Sequence, residues 1–373
     1  MAPKLATMRR PIFATSRDRA LSFLGSAHHV HLASTRLDGA PVLRSLHGVL
    51  LDDEHLAFHA APVGEKLEVL GRPAVVQAAR VVAQIPSYFT DPDRACPATT
   101  LYESAQAHGV VVEVTEPARR AAALEGLMRR LQPEGRYVPI EPDGPLYRKA
   151  LAGLWVAALR IESIDGKSKL MQHKQSRDRA RVIEQLWRRG DPGDAEAIES
   201  IRAANAEDPV PDLLRGPRGT TLSVALGPGD AEASARLVAG AYWNDRFDVE
   251  RLARATAAAS AWVGARDSDG NLCATARAIS DGAKLAWIYD VWVAEGLRGS
   301  GVGEAVMRLL LDHPRVRGAA LVHLGTRDAQ AFYRRLGFVE SSRIPRPYES
   351  TTMTLARPTR LASRDPRFTP GPP

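Results

Sequence analysis

Residues 288–313 read IYDVWVAEGLRGSGVGEAVMRLLLDH. Ile288 to Val293 is an apolar run rich in β-branched and aromatic side chains, the composition of a strand. Gly299, Gly301 and Gly303 follow, and then Val302, Ala305, Val306, Leu309 and Leu310 recur at helical spacing. The order is strand, glycine-rich turn, helix. The three glycines remove side chains where the helix begins, which bares backbone N–H groups and the positive end of the helix dipole. Such a turn binds phosphate. A glycine turn alone serves several nucleotide folds, and a purely structural helix start would contain glycine too. Here it follows the fourth predicted strand of its region instead of the first, and no Lys-Ser/Thr pair comes after it. Both facts count against dinucleotide and P-loop readings.

Around this stretch the patterns predict a strand at Thr221 to Leu226, a helix at Asp230 to Tyr242, and strands at Ala261 to Ala265, Leu272 to Ile279 and Leu285 to Val293. Helices interspersed with strands imply a mixed sheet with helices on its faces. Downstream, TRDAQAFYRRLGF (326–338) offers Asp328 as N-cap, Ala329, Phe332, Tyr333 and Leu336 on one helical face, and Gly337 as the stop. A buried amphipathic helix explains this segment, but the Tyr333 phenol would then need a partner.

Arg298, Gly301 and Gly303 resemble motif A, Arg/Gln-x-x-Gly-x-Gly/Ala, of the GNAT N-acetyltransferases. The resemblance extends over nearly all of 220–357, including AYW at 241–243, YDVWV at 289–293, HP at 313–314 and the TRDAQAFY element. It implies acetyl-CoA as co-substrate, with the pyrophosphate on Arg298, Gly299, Ser300, Gly301, Val302 and Gly303, and Tyr333 as the general acid that protonates the departing thiolate. Acyl transfer requires a neutral amine, a polarised thioester carbonyl and a proton for the sulfur. Backbone donors near Val291 and Val293 would hold the thioester and pantetheine as an added strand is held. Asp290 shares a strand face with Trp292. It is either the base that accepts the amine proton, directly or through water, or a hydrogen-bonded structural carboxylate. The acceptor is expected to be a small-molecule amine, although Tyr242 to Arg254, where its specificity would reside, carries no decisive pattern.

The N-terminal half has another rhythm. Strand-like runs at His29 to Thr35, Val42 to Leu51 and His55 to Ala60 are joined by Leu37-Asp38-Gly39-Ala40, a hairpin pattern, and by Asp52-Asp53-Glu54. Further runs lie at Pro73 to Ile85, Val110 to Val114 and Leu154 to Ile164, with helices at Glu116 to Leu131, Ser176 to Arg189 and Asp194 to Ala204. Closely spaced antiparallel strands with few helices indicate a small barrel. The segments GVLLDDEHLAFHAAPVGEKLEVL (48–70) and IPSYFTDPDRACPATTLYESAQAHG (85–109), with GRYVPI and GKSKLMQHKQSRDR later, resemble the FMN-binding split barrels related to pyridoxamine 5'-phosphate oxidase, over residues 11–206. By that resemblance Arg44, Ser45 and Lys66 hold the FMN phosphate, His59, Ala60 and Ala61 run along the isoalloxazine, and a homodimer builds the flavin site across its two-fold axis. A flavin phosphate requires cations and hydroxyl or backbone donors near a strand end, which Arg44-Ser45 and Gly64-Glu65-Lys66 can supply. Lys167 and Lys169 either meet a ligand or partner subunit or form a solvated loop. The contacts of Ser87, Tyr88, Thr99, Thr100 and Tyr102 are not readable from spacing. Strand alternation puts His29 and His31 on one face and His28 on the other, so no metal site is expected.

The expected fold class is thus two domains: a mainly-β FMN-binding split barrel with added helices (11–206), and an α/β GNAT fold with a mixed sheet (220–357). The Pro- and Gly-rich 207–219 stretch is the linker and 358–373 a disordered tail. A chain of 373 residues has room for two cores. Its net charge of +7 is dispersed and not gathered in one stripe with interleaved aromatics, which argues against nucleic acid and suits phosphate-bearing small molecules. Cys96 and Cys273 fall in different domains, excluding a disulfide framework. The N-terminus lacks an apolar core and no apolar run reaches the roughly 20 residues of a membrane span, so a cytoplasmic protein without a membrane is expected. Two other readings stay open: a flavin or ligand sensor that controls the acetyltransferase without redox turnover, and a binding module in which neither site is active.

Overall fold

The computed structural model describes residues 10–341, which fall into two compact units divided between Gln175 and Ser176. In the first unit the elements are β1 (Ala14–Thr15), α1 (Arg17–Ser26), β2 (Val30–Thr35), β3 (Pro41–Leu46), β4 (Val49–Asp52), β5 (His55–Ala60), β6 (Pro73–Ile85), β7 (Thr99–Glu113), α2 (Pro117–Leu131), α3 (Arg148–Gly153) and β8 (Trp155–Lys169). The strands form one antiparallel sheet in the order β3-β2-β6-β7-β8-β5-β4, with β1 on β8. Its two end strands, β3 and β4, are joined by only His47 and Gly48. Two residues reach no more than about 10 Å, so the sheet must curl until its ends nearly meet. That is how a split barrel arises from this order.

Alternation does the sorting. Along β7 buried and half-buried residues alternate with period two, and Ala105, Ala107 and Val111 enter the interior beside Leu32, Leu56, Val76 and Leu159. Ala123 of α2 lies with Ala57, Val114, Val156 and Ala158 in a smaller cluster. The predicted strand 42–51 is two strands, and the predicted runs at 110–114 and 154–164 belong to strands of 15 residues each. Helix α1 was not foreseen from the sequence; Ser16 caps it by accepting the Arg19 N–H at 3.3 Å, and Leu21 and Leu24 bury it.

The second unit comprises α4 (Ser176–Arg189), α5 (Asp194–Ala203), β9 (Thr221–Ser223), α6 (Asp230–Val238), α7 (Val249–Ala257), β10 (Ala261–Arg266), β11 (Leu272–Ser280), β12 (Leu285–Val293), α8 (Val302–Asp312), β13 (Leu321–His323) and α9 (Gln330–Arg335). The sheet order is β13-β12-β11-β10-β9, antiparallel except for the parallel β12–β13 pair. This is the mixed sheet with flanking helices that the residue pattern predicted.

The division at 175/176 differs from the linker expected at 207–219, because α4 and α5 are fastened to the second sheet. The Trp187 indole donates to Asp312 at 2.6 Å and meets the His313 ring edge-on at 5.4 Å. Glu199 accepts the Val224 N–H at 2.8 Å, and Arg202 donates to the Leu222 carbonyl at 3.2 Å. The expected tail at 358–373, and the end of the 220–357 region beyond 341, lie outside the described residues. Among the described residues no helix is long and apolar enough to cross a membrane.

Candidate functional site

Among the described residues strand β12 pairs with β13 only through Leu285, Ala286 and Trp287, and beyond that its edge away from β11 is open. The Ala294 N–H donates to Cys273 of β11 at 2.9 Å, so by strand alternation the N–H group of Val293 turns to the open edge, while Val291 lies in a bulge of the strand. From there the chain runs through a single 3-10 turn into α8, whose N-cap is Gly301. Gly299 and Gly301 have φ of 73° and 92°, the left-handed region where a β-carbon is costly. At Gly303 the reason is space: a β-carbon there would lie 3.2 Å from the Val293 side chain, a tight contact. The first i→i−4 bond of the helix joins the Ala305 N–H to the Gly301 carbonyl. The N–H groups of Gly301, Val302, Gly303 and Glu304 therefore stand ahead of the helix ladder as anion donors.

Arg298 flanks this cradle. Its Nε donates to the Val293 carbonyl at 3.2 Å and its guanidinium lies 5.9 Å from the Trp292 ring centre. Ser300 is occupied in the turn itself, its hydroxyl donating to the Leu297 carbonyl at 2.5 Å.

Asp290 sits in a β-bulge: Tyr289 faces Arg277 and Trp292 faces Thr275, leaving two β12 residues opposite one of β11. Its φ of 54° is left-handed, a conformation asparagine and aspartate tolerate best among side-chain-bearing residues. The carboxylate is buried and fully engaged. Oδ2 accepts from Arg277 Nε at 2.6 Å, and Oδ1 accepts from Asn244 Nδ2 at 2.8 Å and Trp243 Nε1 at 3.1 Å. Of the two roles left open by the sequence, this geometry favours the structural one: Asp290 ties the 242–244 loop to the bulge. Trp243 lies in the AYW stretch singled out in the sequence, but its contact with Asp290, like those of Asn244 and Arg277, escaped the sequence reading because no local pattern announces a bulge partner as distant as Asn244, 46 residues away.

Tyr333 on α9 is packed edge-on against Phe332 and Phe338 at 5.0 and 5.9 Å. Burial, reinforced by the nearby Tyr242 and Asp328, pushes its hydroxyl up to about 12. It lines a cleft of about 830 Å³ together with His323, Leu324, Thr326 and Phe338. Asp328 is not the expected N-cap. Ala329 takes that place, and the Thr326 hydroxyl accepts the Ala329 N–H at 3.1 Å, a local turn that threonine makes as aspartate does, though more weakly. Tyr242 closes the site from the other side, accepting the Arg327 N–H at 3.1 Å under a guanidinium 3.7 Å from its ring centre.

Residues 232–338 match the family model described as Acetyltransferase (GNAT) family, and residues 16–168 that described as Pyridoxamine 5'-phosphate oxidase. The chain joins a pyridoxamine 5'-phosphate oxidase-like domain to a GNAT domain. A comparison with curated proteins gives no match. Among solved structures, a protein from Xanthomonas campestris pv. campestris assigned to the GNAT family shares 28% identity over 34% of this chain and 93% of its own, with a TM-score of 0.30. The FAD and heme binding protein from Mycobacterium smegmatis shares 23% over 42% and 72%, with a TM-score of 0.33. Flavocytochrome Anf3 from Azotobacter vinelandii shares 14% over 43% and 71%, with a TM-score of 0.36.

In the oxidase-like domain the expected phosphate residues do not all converge. Register pairs Leu32 with Arg44 and His31 with Ser45, so Arg44 and Ser45 leave β3 on opposite faces. The Arg44 guanidinium is engaged by Glu65, which also draws Arg36 to 3.5 Å. Ser45 shares its face with His31, at 3.1 Å from Nδ1, and with the His29–His47 ring pair, 4.4 Å between centres. His59 lies against the same group; burial chiefly, then His47 and Lys66, depress its pKa. His47 and Lys66 are thus the charged neighbours that His59 feels, with Gly64 turning the chain ahead of Lys66 at φ 98° and Ala60 ending β5. Among the described residues no group of three or more His, Cys, Asp or Glu can hold a metal ion. The lysines of the GKSKL segment have local partners: Lys169 donates to Thr99 at 2.5 Å, and both Lys167 and Lys169 lie over the Tyr102 ring, at 5.2 and 5.9 Å.

Proposed function

We propose that the GNAT domain transfers the acetyl group of acetyl-CoA to the amine of a small molecule. The observation that carries this reading is the meeting of two features at one end of the sheet: the bare N-terminus of α8 and the open edge of β12. The pyrophosphate of CoA takes the N–H groups of Gly301 to Gly303, with Arg298 beside them, and the pantetheine arm lies along β12 as an added strand. The N–H groups of Val291 and Val293 then hold the arm and polarise the thioester carbonyl.

The neutral amine attacks the carbonyl carbon, its nitrogen lone pair forming the C–N bond. The C–S bond breaks with its electron pair on sulfur, and the attacking nitrogen loses one proton to water. The Tyr333 phenol keeps its proton through neutral pH. An ordinary thiol ionises near about 8.5, so a phenol held up to about 12 stabilises the departing sulfur chiefly as a hydrogen-bond donor. Final protonation of CoA comes from solvent. Asp290 acts here as a positioning residue and not as the base.

The oxidase-like domain is read as an FMN site of redox role. The residues fit the cofactor in part: Lys66, the Ser45 hydroxyl and the Gly64 turn would receive the phosphate, and His59 and Ala60 the ring edge, whereas Arg44 is taken by Glu65. Bound flavin would supply two-electron transfer. A homodimer through this domain in the cytoplasm completes the reading, supported by the resemblance and by the prevalence of two-fold assemblies. The decisive experiment is calorimetric titration of acetyl-CoA into the wild type and Gly301→Val. Stoichiometric binding lost in the variant is expected; equal binding by both would overturn the site.

A further inference from the structure

The two faces of the second sheet are distinguishable residue by residue. Thr275 of β11 lies against α6, its hydroxyl 3.3 Å from Ser234, and receives the Trp262 indole N–H at 2.9 Å. Arg277 and Ile279 follow on the same face by alternation. Register carries that face across to Trp292, Tyr289 and Trp287 on β12, and from Trp287 to His323 on β13. Val293, against which Gly303 of α8 packs, points the other way. A ligand held by the α8 N-terminus therefore reaches the β12 edge from one face, and the second substrate has the opposite face to itself.

That opposite face is an aromatic platform. Trp287 and Tyr289 remain 43% and 41% exposed, although such side chains dominate burial elsewhere. Their rings are nearly parallel, 22° apart with centres at 6.3 Å, and the His323 imidazole stacks on Trp287 at 4.9 Å and 27°. The Arg277 guanidinium sits 5.1 Å from the Tyr289 ring centre and is itself neutralised by Asp290. Asp290 also holds the indole of Trp243, 41% exposed, at the side of the platform. His323 belongs both to the stack and to the cleft lined by Tyr333, so the platform leads into the reaction centre.

We propose that the acceptor is an amine carrying an aromatic ring, with the ring seated on Trp287 and Tyr289 and the nitrogen at the level of Val291. This rests on the acetyl-transfer reading above. The bulge at Asp290 shortens the step from Tyr289 to Val291 below the about 7 Å of a regular strand, a distance that a two-carbon link between ring and nitrogen spans together with the ring's own half-width. Planar, parallel side chains offer flat contact to a flat ring and much less to a flexible chain of equal length. Arg277 and Asp290 neutralise each other on this face, so neither is a free charge for a second ammonium group.

The test compares 2-phenylethylamine with hexylamine as acceptors for the full chain, following release of the CoA thiol and the mass of the product. Acetyl-CoA affinity is measured separately by calorimetry. The expected result is a kcat/KM about tenfold or more higher for the aromatic amine, as about 1.4 kcal/mol of stacking would give. Trp287→Ala and the bulk-preserving Tyr289→Leu should erase most of that preference while acetyl-CoA affinity stays unchanged. Equal kcat/KM for the two amines, a preference surviving both substitutions, or a protein that binds acetyl-CoA and acetylates neither amine would overturn the platform alone. Absence of acetyl-CoA binding would instead remove the acetyltransferase reading, and this inference with it.

Discussion

Replacement of Asp290 separates a structural carboxylate from a catalytic one. Asp290 and Arg277 are almost wholly inside, their side chains 6% and 11% exposed, with 2.6 Å between Oδ2 and Nε. Removing one partner of such a pair leaves an uncompensated buried charge and costs about 3–5 kcal/mol. Asp290→Ala adds about 1 kcal/mol, because φ of 54° is left-handed and alanine lacks the local hydrogen bonds that make it tolerable. Asp290→Asn keeps a side-chain oxygen for Trp243 and Asn244 and tolerates the same φ; it loses the charge opposite Arg277, at about 2–3 kcal/mol. Urea denaturation followed by tryptophan fluorescence reads both values, with the transition of the second unit fitted separately from the first. Acetyl transfer should fall in proportion to the folded fraction and to loosening of the 242–244 loop, chiefly as a raised KM for the amine. An Asp290→Asn protein with wild-type stability and no turnover would refute this reasoning and restore Asp290 as the base.

Three further outcomes are expected. Tyr333→Phe should lower kcat by about 100-fold with acetyl-CoA affinity unchanged, and since the phenol ionises only near about 12 the wild-type rate should show no alkaline loss from this group up to pH 10. His313 is buried and held neutral, its pKa lowered to about 4 by burial and then by Arg315 and Arg317. A depressed histidine gives stability that is present above its unfolded value and lost as pH falls from about 6.5 towards 4, by up to about 3 kcal/mol; His313→Gln should flatten that acid limb in denaturation midpoints measured across it. Lys66→Ala should weaken FMN by about 10- to 100-fold in a fluorescence titration, whereas Arg44→Ala, whose guanidinium already serves Glu65, should change it little.

The parts of the molecule legible in the sequence are those governed by local rules. The glycine turn at 299–303, the helix after it and the long β6 strand follow from composition and period, and the Asp38-Gly39 hairpin is made as read, with the Ala40 N–H donating to Asp38 at 2.9 Å. Strand ends were harder. Thr99 to Gly109 extends β7 with serine, glutamine and histidine, residues whose partners across the sheet, and not their own propensity, make them strand. The engagement of Asp290 was hidden for a like reason: it depends on a bulge and on residues 13 and 46 positions away. Assignment of α4 and α5 depends on Trp187 reaching Asp312, a contact across 125 positions. Arg44 and Ser45 are neighbours in sequence and diverge in space, which alternation along β3 already foretold once its register was known.

Amide hydrogen exchange of the full chain with and without acetyl-CoA tests the central claim most directly. Slowed exchange confined to Val291, Val293 and the amides of Gly301 to Glu304 is the predicted result, because those N–H groups are the ones the thioester arm and the pyrophosphate would occupy. Acetyl-CoA binding with protection elsewhere and none across 291–304, or no binding at all, would contradict it.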